Sequence, residues 1–482
     1  GGSGYLVLGL GVAGLAAAAT LLRDPAGRRV VIWDAADTSA TRARARRLRG
    51  RGAEVHLGDA GAQLVDRDWN AIVKSPGIPS DVPLLCHARA RGIEVIDELE
   101  LAWRRCRQPV VGVTGTNGKS TTCALLAGVL RAGGSEVHVA GNTEFGPPLS
   151  AAPRTGWIVC EASSFQLEAA PTFQPSVAVF TNLTPEHLDR HGSMARYGAA
   201  KRTMFLGAKA TAGRSIVNLD DAFGRQLAQA LTAAGAEVVT YGFDPEADVR
   251  LAEATWDMRS ARLRVNTRWG DLDVRTRLPG HHNARNTVAS IAAGLSWGIG
   301  PEEIADAVAF VAPPPGRWVT IAEGQPFDVL VDYAHTPDGL DQVLRAIRSV
   351  LRARGCGRLR AVFGAVGLRD PSKARASARV LAHLSDHLIL TTGSAPRDHR
   401  ILRLRELARA ARNAARMELV LDRPAAIARA LAAAHPGDVV AVLGLGALRR
   451  QVLDATGATR SHSDADAVRA CLQQLRDPAA CA

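Results

Sequence analysis

The stretch Val110-Val111-Gly112-Val113-Thr114-Gly115-Thr116-Asn117-Gly118-Lys119-Ser120 constrains this chain more than any other. A β-branched run turns through two glycines into Lys-Ser, and an Ala/Leu-rich helical pattern follows. A glycine-rich turn between strand and helix presents backbone N–H groups to phosphate oxygens. Gly115, Thr116, Asn117, Gly118 and Thr121 would build the cradle, and Lys119 would reach the β/γ-phosphates. The Ser120 hydroxyl would ligate Mg2+. The usual spacing wants glycine where Val113 stands, so this is a variant loop, supported by its strand-to-helix setting.

The rest of the chain repeats strand–helix alternation, which implies α/β architecture with mostly parallel sheets. An opening strand over 5–8 leads into Gly9, Gly11 and Gly14. A helix from Leu15 and a strand over 29–33 follow, ending at Asp34. This order is Rossmann-like, with an acid about 20 residues beyond the turn. A strand over 71–73 runs into Lys74-Ser75-Pro76-Gly77-Ile78-Pro79, the kind of loop where open α/β sheets bind ligands. A helix over 98–106 closes this first domain, residues 1–107.

A central domain, 108–314, carries strands over 110–113, 157–160, 177–180, 215–217 and 237–240. The alternating stretch 249–278 reads as antiparallel strands. Pro313-Pro314-Pro315-Gly316 reads as a linker. A last α/β domain, 315–482, has strands over 328–331, 359–363, 387–390 and 439–443. Three domains suit 482 residues at roughly 150 residues each.

Composition removes several classes. With 47% hydrophobic and 22% charged residues, global disorder is excluded. The net charge of +12 suits anionic partners, but the arginines are scattered in Ala/Arg helices and only 5% of residues are aromatic. A solvated basic face is therefore expected, and no nucleic-acid surface. The seven cysteines are spread without C-x-x-C, which fits a reduced compartment. No apolar run reaches the roughly 18 residues of a membrane span, and the opening residues lack a signal-peptide layout. A cytoplasmic monomer acting on small molecules is the expectation.

Further blocks carry chemistry. Glu161-Ala162-Ser163-Ser164-Phe165-Gln166 follows a strand, placing a carboxylate where Mg2+ near the loop phosphates would want it. Thr181-Asn182-Leu183-Thr184-Pro185-Glu186-His187 offers an imidazole as a second metal ligand, or merely a polar loop. Asn283 and Asn286 sit three apart and share a helix face, suiting an adenine edge or a capped, solvated helix. Asp332-Tyr333-Ala334-His335-Thr336-Pro337 ends a strand, facing a ligand or making an ordinary turn.

Together these blocks resemble the Mur ligase family of ATP-dependent amide-forming ligases, in the family's order, over about residues 5–475. The resemblance implies that ATP converts an acceptor carboxylate to an acyl phosphate, which an amino acid's amine attacks, releasing phosphate. It implies Lys119, His187 and Lys201 as catalytic. Ser120 and Glu161 would hold one Mg2+, and His187 with a carbamylated Lys201 a second. Asn283, Asn286, Arg317 and Asp332 would contact the nucleotide. The first domain is similar to that of the D-glutamate-adding members, in which such a unit holds UDP rather than NAD. Val12, Ala13 and Asp34 would line uracil. Ser75, Gly77, Asn142, Ser163 and Gln166 would meet the rest of the UDP-N-acetylmuramoyl-L-alanine acceptor.

The last domain departs from those members. Its D-Y-A-H-T-P block and 363–370 resemble the tripeptide-forming members, which add diaminopimelate or lysine. Their D-N-P-R signature, however, reads Ser394-Ala395-Pro396-Arg397 here, and their G-x-G-H-E block reads Gly444-Leu445-Gly446-Ala447-Leu448. His335 and Arg397 are the donor-side candidates, with Arg397 suited to a donor carboxylate. Addition of D-glutamate is the expected reaction, and the tripeptide-forming reaction its alternative. An NAD-dependent oxidoreductase would use Gly9 to Asp34, but a second phosphate loop is redundant there. A non-catalytic homologue would not need Lys119, Glu161, His187 and Lys201 together.

Overall fold

The computed structural model describes residues 4–207, 211–364, 371–394, 397–412, 416–452 and 459–476. The chain forms two compact units, Gly1–Asp248 with Ala289–Ile299, and Val249–Val288 with Gly300–Ala482. The first contains two parallel arrays of strands and the second one mostly parallel sheet, each with its own core.

The first unit opens with five parallel strands in the order Glu54–Leu57, Arg29–Asp34, Gly4–Leu8, Ala71–Lys74, Val95–Asp97. The strand interiors are apolar on both faces, as a sheet covered by helices requires. Leu6, Leu8 and Ile72 pack to one side with Leu85 and Ala88. Val7, Ile32 and Val73 pack to the other with Ala17, Leu21 and Leu48.

The strand order reverses between Gly4–Leu8 and Ala71–Lys74, the crevice where such sheets take ligands. The glycines there are sterically required. Gly9 has φ +93°, and a Cβ on it would lie 2.6 Å from Ser75 Oγ. The helix begins at Val12, three residues earlier than the apolar pattern suggested, with Gly11 as its N-cap. Gly14 therefore lies inside its first turn, where a Cβ would fall within the radius of the Gly9 carbonyl oxygen. Gly14→Ala should destabilise this unit by about 1–3 kcal/mol from overpacking, outweighing the ~1 kcal/mol helix-propensity gain. A lowered urea midpoint would show it, and an unchanged or raised midpoint would refute the steric argument.

The second sheet of this unit runs Glu237–Gly242, Arg214–Asn218, Val177–Phe180, Val110–Thr114, Trp157–Glu161, Val137–Gly141, all parallel. Its core includes Val110, Ile158, Ala178, Phe180 and Phe205. Val110–Thr114 sits between Trp157–Glu161 and Val177–Phe180, so the three blocks singled out in sequence leave one sheet edge together. The helix predicted over 98–106 ends at Trp103, with Asp97 accepting from the Leu99 amide as its cap.

In the second unit, Val249–Trp256, Ala261–Thr267 and Leu272–Thr276 form the expected antiparallel ladder. The other sheet runs Val319–Ile321, Asp328–Asp332, Val439–Leu443, Leu359–Phe363, His387–Leu390, Met417–Leu419, with only the first pair antiparallel. The helix Pro337–Arg354, capped by Thr336, lays Leu340, Val343, Leu344, Ile347, Val350 and Leu351 onto it at helical spacing. No helix among the described residues is long and apolar enough to cross a membrane.

Candidate active site

The phosphate-loop candidate leaves its strand at Thr114 and enters the helix Lys119–Ala132 through Gly118, at φ +84°. Gly115 packs so closely on Thr181 that a Cβ would overlap Thr181 Oγ1. The 181–184 segment closes over the loop. The Thr116 amide donates to the Asn182 carbonyl (2.8 Å), and the Asn117 amide to Asn182 Oδ1 (2.9 Å). Thr181 Oγ1 donates to the Asn117 carbonyl (2.7 Å), and the Thr184 amide to Thr116 Oγ1 (3.0 Å). Thr121 is buried behind the loop on the helix. Asn182 and Thr184, though present in a quoted block, were not singled out from the sequence. They fix the loop's shape, a task no residue-type pattern announces.

Three charged side chains converge here. Lys119 Nζ lies back on the Thr116 carbonyl (2.8 Å). Ser120 Oγ donates to Glu161 Oε2 (2.6 Å), at the end of the neighbouring strand. Lys201 Nζ donates to the Gly115 carbonyl (2.7 Å) and lies 4.5 Å from the Tyr197 ring centroid. Burial, helped by the Lys119 charge and opposed by Glu161, pushes the Lys201 ammonium well below its usual value. Tyr197 also meets Thr116 Oγ1 through its hydroxyl (3.2 Å) and faces the His187 ring at 6.4 Å. His187 adopts a left-handed conformation (φ 56°), with its side chain partly exposed and its ring 4.7 Å from that of Phe165.

Among the described residues, no group of three or more His, Cys, Asp or Glu is placed to hold a metal unaided. The donor set is instead one carboxylate and one hydroxyl already side by side, with an imidazole on a following loop. Hard oxygen donors of low number suit Mg2+, which usually completes its shell with water and substrate phosphate. The carboxylate and hydroxyl fit the expected ion, and Lys119 at the helix start fits a phosphate, but the Thr116 and Asn117 amides expected in the cradle are taken up by Asn182.

The acceptor-side candidates gather at the first sheet's switch point. Asp34 accepts from the Leu10 amide (2.6 Å), holding the glycine turn, and Val12 is 70% exposed with Ala13 beside it. Ser75 Oγ is buried without a hydrogen-bond partner among the described residues, facing Gly9 and Gly14. Gly77 is exposed in the following turn. In the second sheet the Asn142 amide bonds the Glu161 carbonyl (2.8 Å). Ser163 and Gln166 form a reciprocal capping box on the helix Ser164–Leu167, which occupies Gln166 Oε1.

The second unit holds the remaining candidates. Asn283 and Asn286 are adjacent as expected (3.4 Å), yet both are almost wholly buried, and Asn283 Nδ2 donates to the Pro279 carbonyl. Asp332 accepts from the Trp318 and Ala334 amides (2.7 Å each). Burial raises its carboxyl, against the pull of Arg317. Arg317 stacks on Tyr333 at 4.5 Å, and His335 Nδ1 lies 3.0 Å from the Tyr333 carbonyl. Arg397 opens the helix Arg397–Ala410, but its side chain lies outside the described residues, as do Ala395, Pro396 and residues 365–370.

Comparisons with known proteins agree along the chain. Residues 3–97 match the family described as Mur ligase MurD-like, N-terminal domain. Residues 113–294 match Mur ligase middle domain, and 316–446 Mur ligase, glutamate ligase domain. The UDP-N-acetylmuramoyl-L-alanyl-D-glutamate–2,6-diaminopimelate ligase of Chromobacterium violaceum is 35% identical over 380 residues, covering 74% of this chain and 75% of that protein. The UDP-N-acetylmuramoylalanine–D-glutamate ligase of Gloeobacter violaceus is 36% identical over 333 residues, covering 66% and 68%. A crystal structure of UDP-N-acetylmuramate-alanine ligase from Thermotoga maritima superposes with a TM-score of 0.62 at 19% identity. It covers 98% of this chain and 99% of that one, a likeness of fold.

Proposed function

This chain belongs to the Mur ligase family, and from that premise we propose that it joins D-glutamate to UDP-N-acetylmuramoyl-L-alanine. The family membership makes it an ATP- and Mg2+-dependent amide-forming ligase of peptidoglycan precursor synthesis, acting on small molecules. The observation that carries the acceptor assignment is Ser75. A hydroxyl buried with no hydrogen-bond partner among the described residues, at the switch point of a sheet whose sequence matches the MurD-like N-terminal family, supports a seat for a polar acceptor group there.

Bound ATP would supply the phosphoryl group, and Mg2+ the countercharge, by which the acceptor carboxylate becomes an acyl phosphate, whose acyl carbon the donor amine attacks with release of phosphate. The chain's own residues divide the remaining work. Lys119 neutralises phosphate charge at the helix N-terminus. Ser120 and Glu161 would hold one ion. Burial drives Lys201 toward its neutral amine, which would add to CO2 with loss of a proton, and the resulting carbamate would join His187 in holding the second. Val12, Ala13 and Asp34 seat the uracil, while Gly77, Asn142, Ser163 and Gln166 seat the sugar and phosphates. Asn283, Asn286, Arg317 and Asp332 meet the nucleotide, and His335 with Arg397 the donor. On this reading 1–107 binds the acceptor, 108–314 the ATP and 315–482 the amino acid, in a cytoplasmic monomer.

A second reading has its own support. The 35%-identical Chromobacterium relative is named a diaminopimelate ligase, and the D-Y-A-H-T-P block leans the same way. A panel separates the two. D-glutamate, L-glutamate, diaminopimelate and lysine are each offered with UDP-N-acetylmuramoyl-L-alanine or its D-glutamyl dipeptide, and released phosphate is read. D-glutamate with the alanyl acceptor should exceed every other pairing by about tenfold or more in kcat/KM. Preference for diaminopimelate with the dipeptide would replace the proposal with its alternative, and preference for L-glutamate would correct the donor alone.

A further inference from the structure

The turn after His187 is held by a cluster that the proposed chemistry does not use. His187 takes a backbone conformation rare outside glycine. The amides of Arg190 and His191 donate back to its carbonyl (3.0 and 2.9 Å), forming the one-turn helix Leu188–His191. Two side chains of that turn converge on Glu168. Arg190 Nη2 lies 2.7 Å from Oε2, and His191 Nδ1 3.1 Å from Oε1. His191 Nε2 also meets Ser164 Oγ (3.0 Å). Burial would raise Glu168, but these hydrogen bonds and charges outweigh it and hold the carboxyl at about 2.

The same guanidinium reaches the first sheet. Arg190 Nη1 donates to the Pro76 carbonyl (3.3 Å) and Nη2 to the Ile78 carbonyl (3.2 Å), in the loop that begins at Ser75. Ser80 Oγ donates to Glu168 Oε2 (3.2 Å), and the guanidinium lies over the Phe165 ring at 4.6 Å. The Arg190 side chain is 9% exposed. A planar fork with five fixed donors can serve a carboxylate, two carbonyls and a ring face together, whereas a lysine ammonium cannot.

We infer that Arg190, seated on Glu168, is a positioning residue that sets the acceptor loop 75–78 and the His187 turn in register with each other. The chemical meaning of the two ends rests on the function proposed above. The spatial coupling does not.

The test uses Arg190→Lys in the full chain, with Glu168→Gln as a milder second variant that keeps the side chain's size. KM for UDP-N-acetylmuramoyl-L-alanine should rise about tenfold, with KM for ATP unchanged within about twofold. Loss of folded protein alone would lower the apparent kcat and leave both KM values in place. Hydrogen exchange of the nucleotide-free protein supplies the second readout. The amides of Gly77 and Ile78 and those of 188–191 should speed up together, by about tenfold, while 116–120 stay as in the parent. An unchanged acceptor KM in both variants, or loosening of one segment without the other, overturns the inference. If the parent protein ligates nothing, the proposed function fails while the exchange result still decides the coupling.

Discussion

Replacing Lys119 by alanine should lower ATP-dependent phosphate release by about a thousandfold, the scale on which single donors to a developing anion act. The reason is that the other lysine described beside the loop is poorly suited to take its place. Lys201 is the second ammonium near the loop, but it is fully buried, committed to the Gly115 carbonyl, and driven toward its neutral form. Lys119 opens the helix at the loop's end and is only half-buried, its Nζ on the Thr116 carbonyl. A hydrogen bond of this kind is worth about 1 kcal/mol, so the melting temperature should move by only a few degrees. Phosphate release and thermal unfolding measured on one preparation separate the two effects. Turnover within about threefold of the parent would remove Lys119 from the phosphate site and with it the loop's assigned role.

The blocks that were legible in sequence are those where chemistry demands a residue type at a local spacing. Gly118-Lys119-Ser120 and Glu161 belong to this kind, and the strands that carry them each have a neighbour on both sides in their sheet. Four strands, Val177–Phe180, Leu359–Phe363, His387–Leu390 and Val439–Leu443, have the bounds their apolar runs suggested. Strands with no such run, Glu54–Leu57, Val95–Asp97, Val137–Gly141, Val319–Ile321 and Met417–Leu419 among them, each lie at a sheet edge. An edge strand is short and covered on fewer sides, so its sequence needs no sustained apolar run.

The supporting contacts were illegible for a different reason. Lys201 meets a carbonyl 86 residues away, and Arg190 one 114 residues away. A backbone carbonyl carries no residue identity, so nothing in the partner's sequence marks it. The same holds for a buried arginine of the second unit, Arg423. Composition suggested arginines on solvated faces, yet Arg423 is wholly buried.

Arg423→Met should therefore cost the second unit about 3–5 kcal/mol, because it strands a buried charge. Arg423 Nε and Nη2 each lie 2.7 Å from a different oxygen of Asp464, Nη2 also donates to the Leu443 carbonyl (3.0 Å), and both side chains are fully buried. His462 Nε2 sits 2.7 Å from Asp464 Oδ1. Burial alone would raise the Asp464 carboxyl, but Arg423 first and His462 second outweigh it and hold it at about 2, below the usual 3.8. A carboxyl depressed by folding stabilises the native state above its unfolded value, and loses that contribution as pH falls through the folded value. In the parent, acidification from about pH 5 to pH 2 should thus remove on the order of 2 kcal/mol at this residue. In Arg423→Met the sign reverses. Desolvation then dominates, the native carboxyl binds its proton more tightly than the unfolded one, and mild acid recovers part of the loss. Asp464→Leu added to Arg423→Met should restore most of it at pH 7, since the charge needing a partner is gone. Urea unfolding at pH 7 and pH 4, followed by a probe confined to this unit, reads all three effects. A single variant within about 1 kcal/mol of the parent at pH 7 would mean that water or a neighbour reaches Asp464, and that its bidentate pairing with Arg423 is not what keeps the carboxylate tolerable inside the domain.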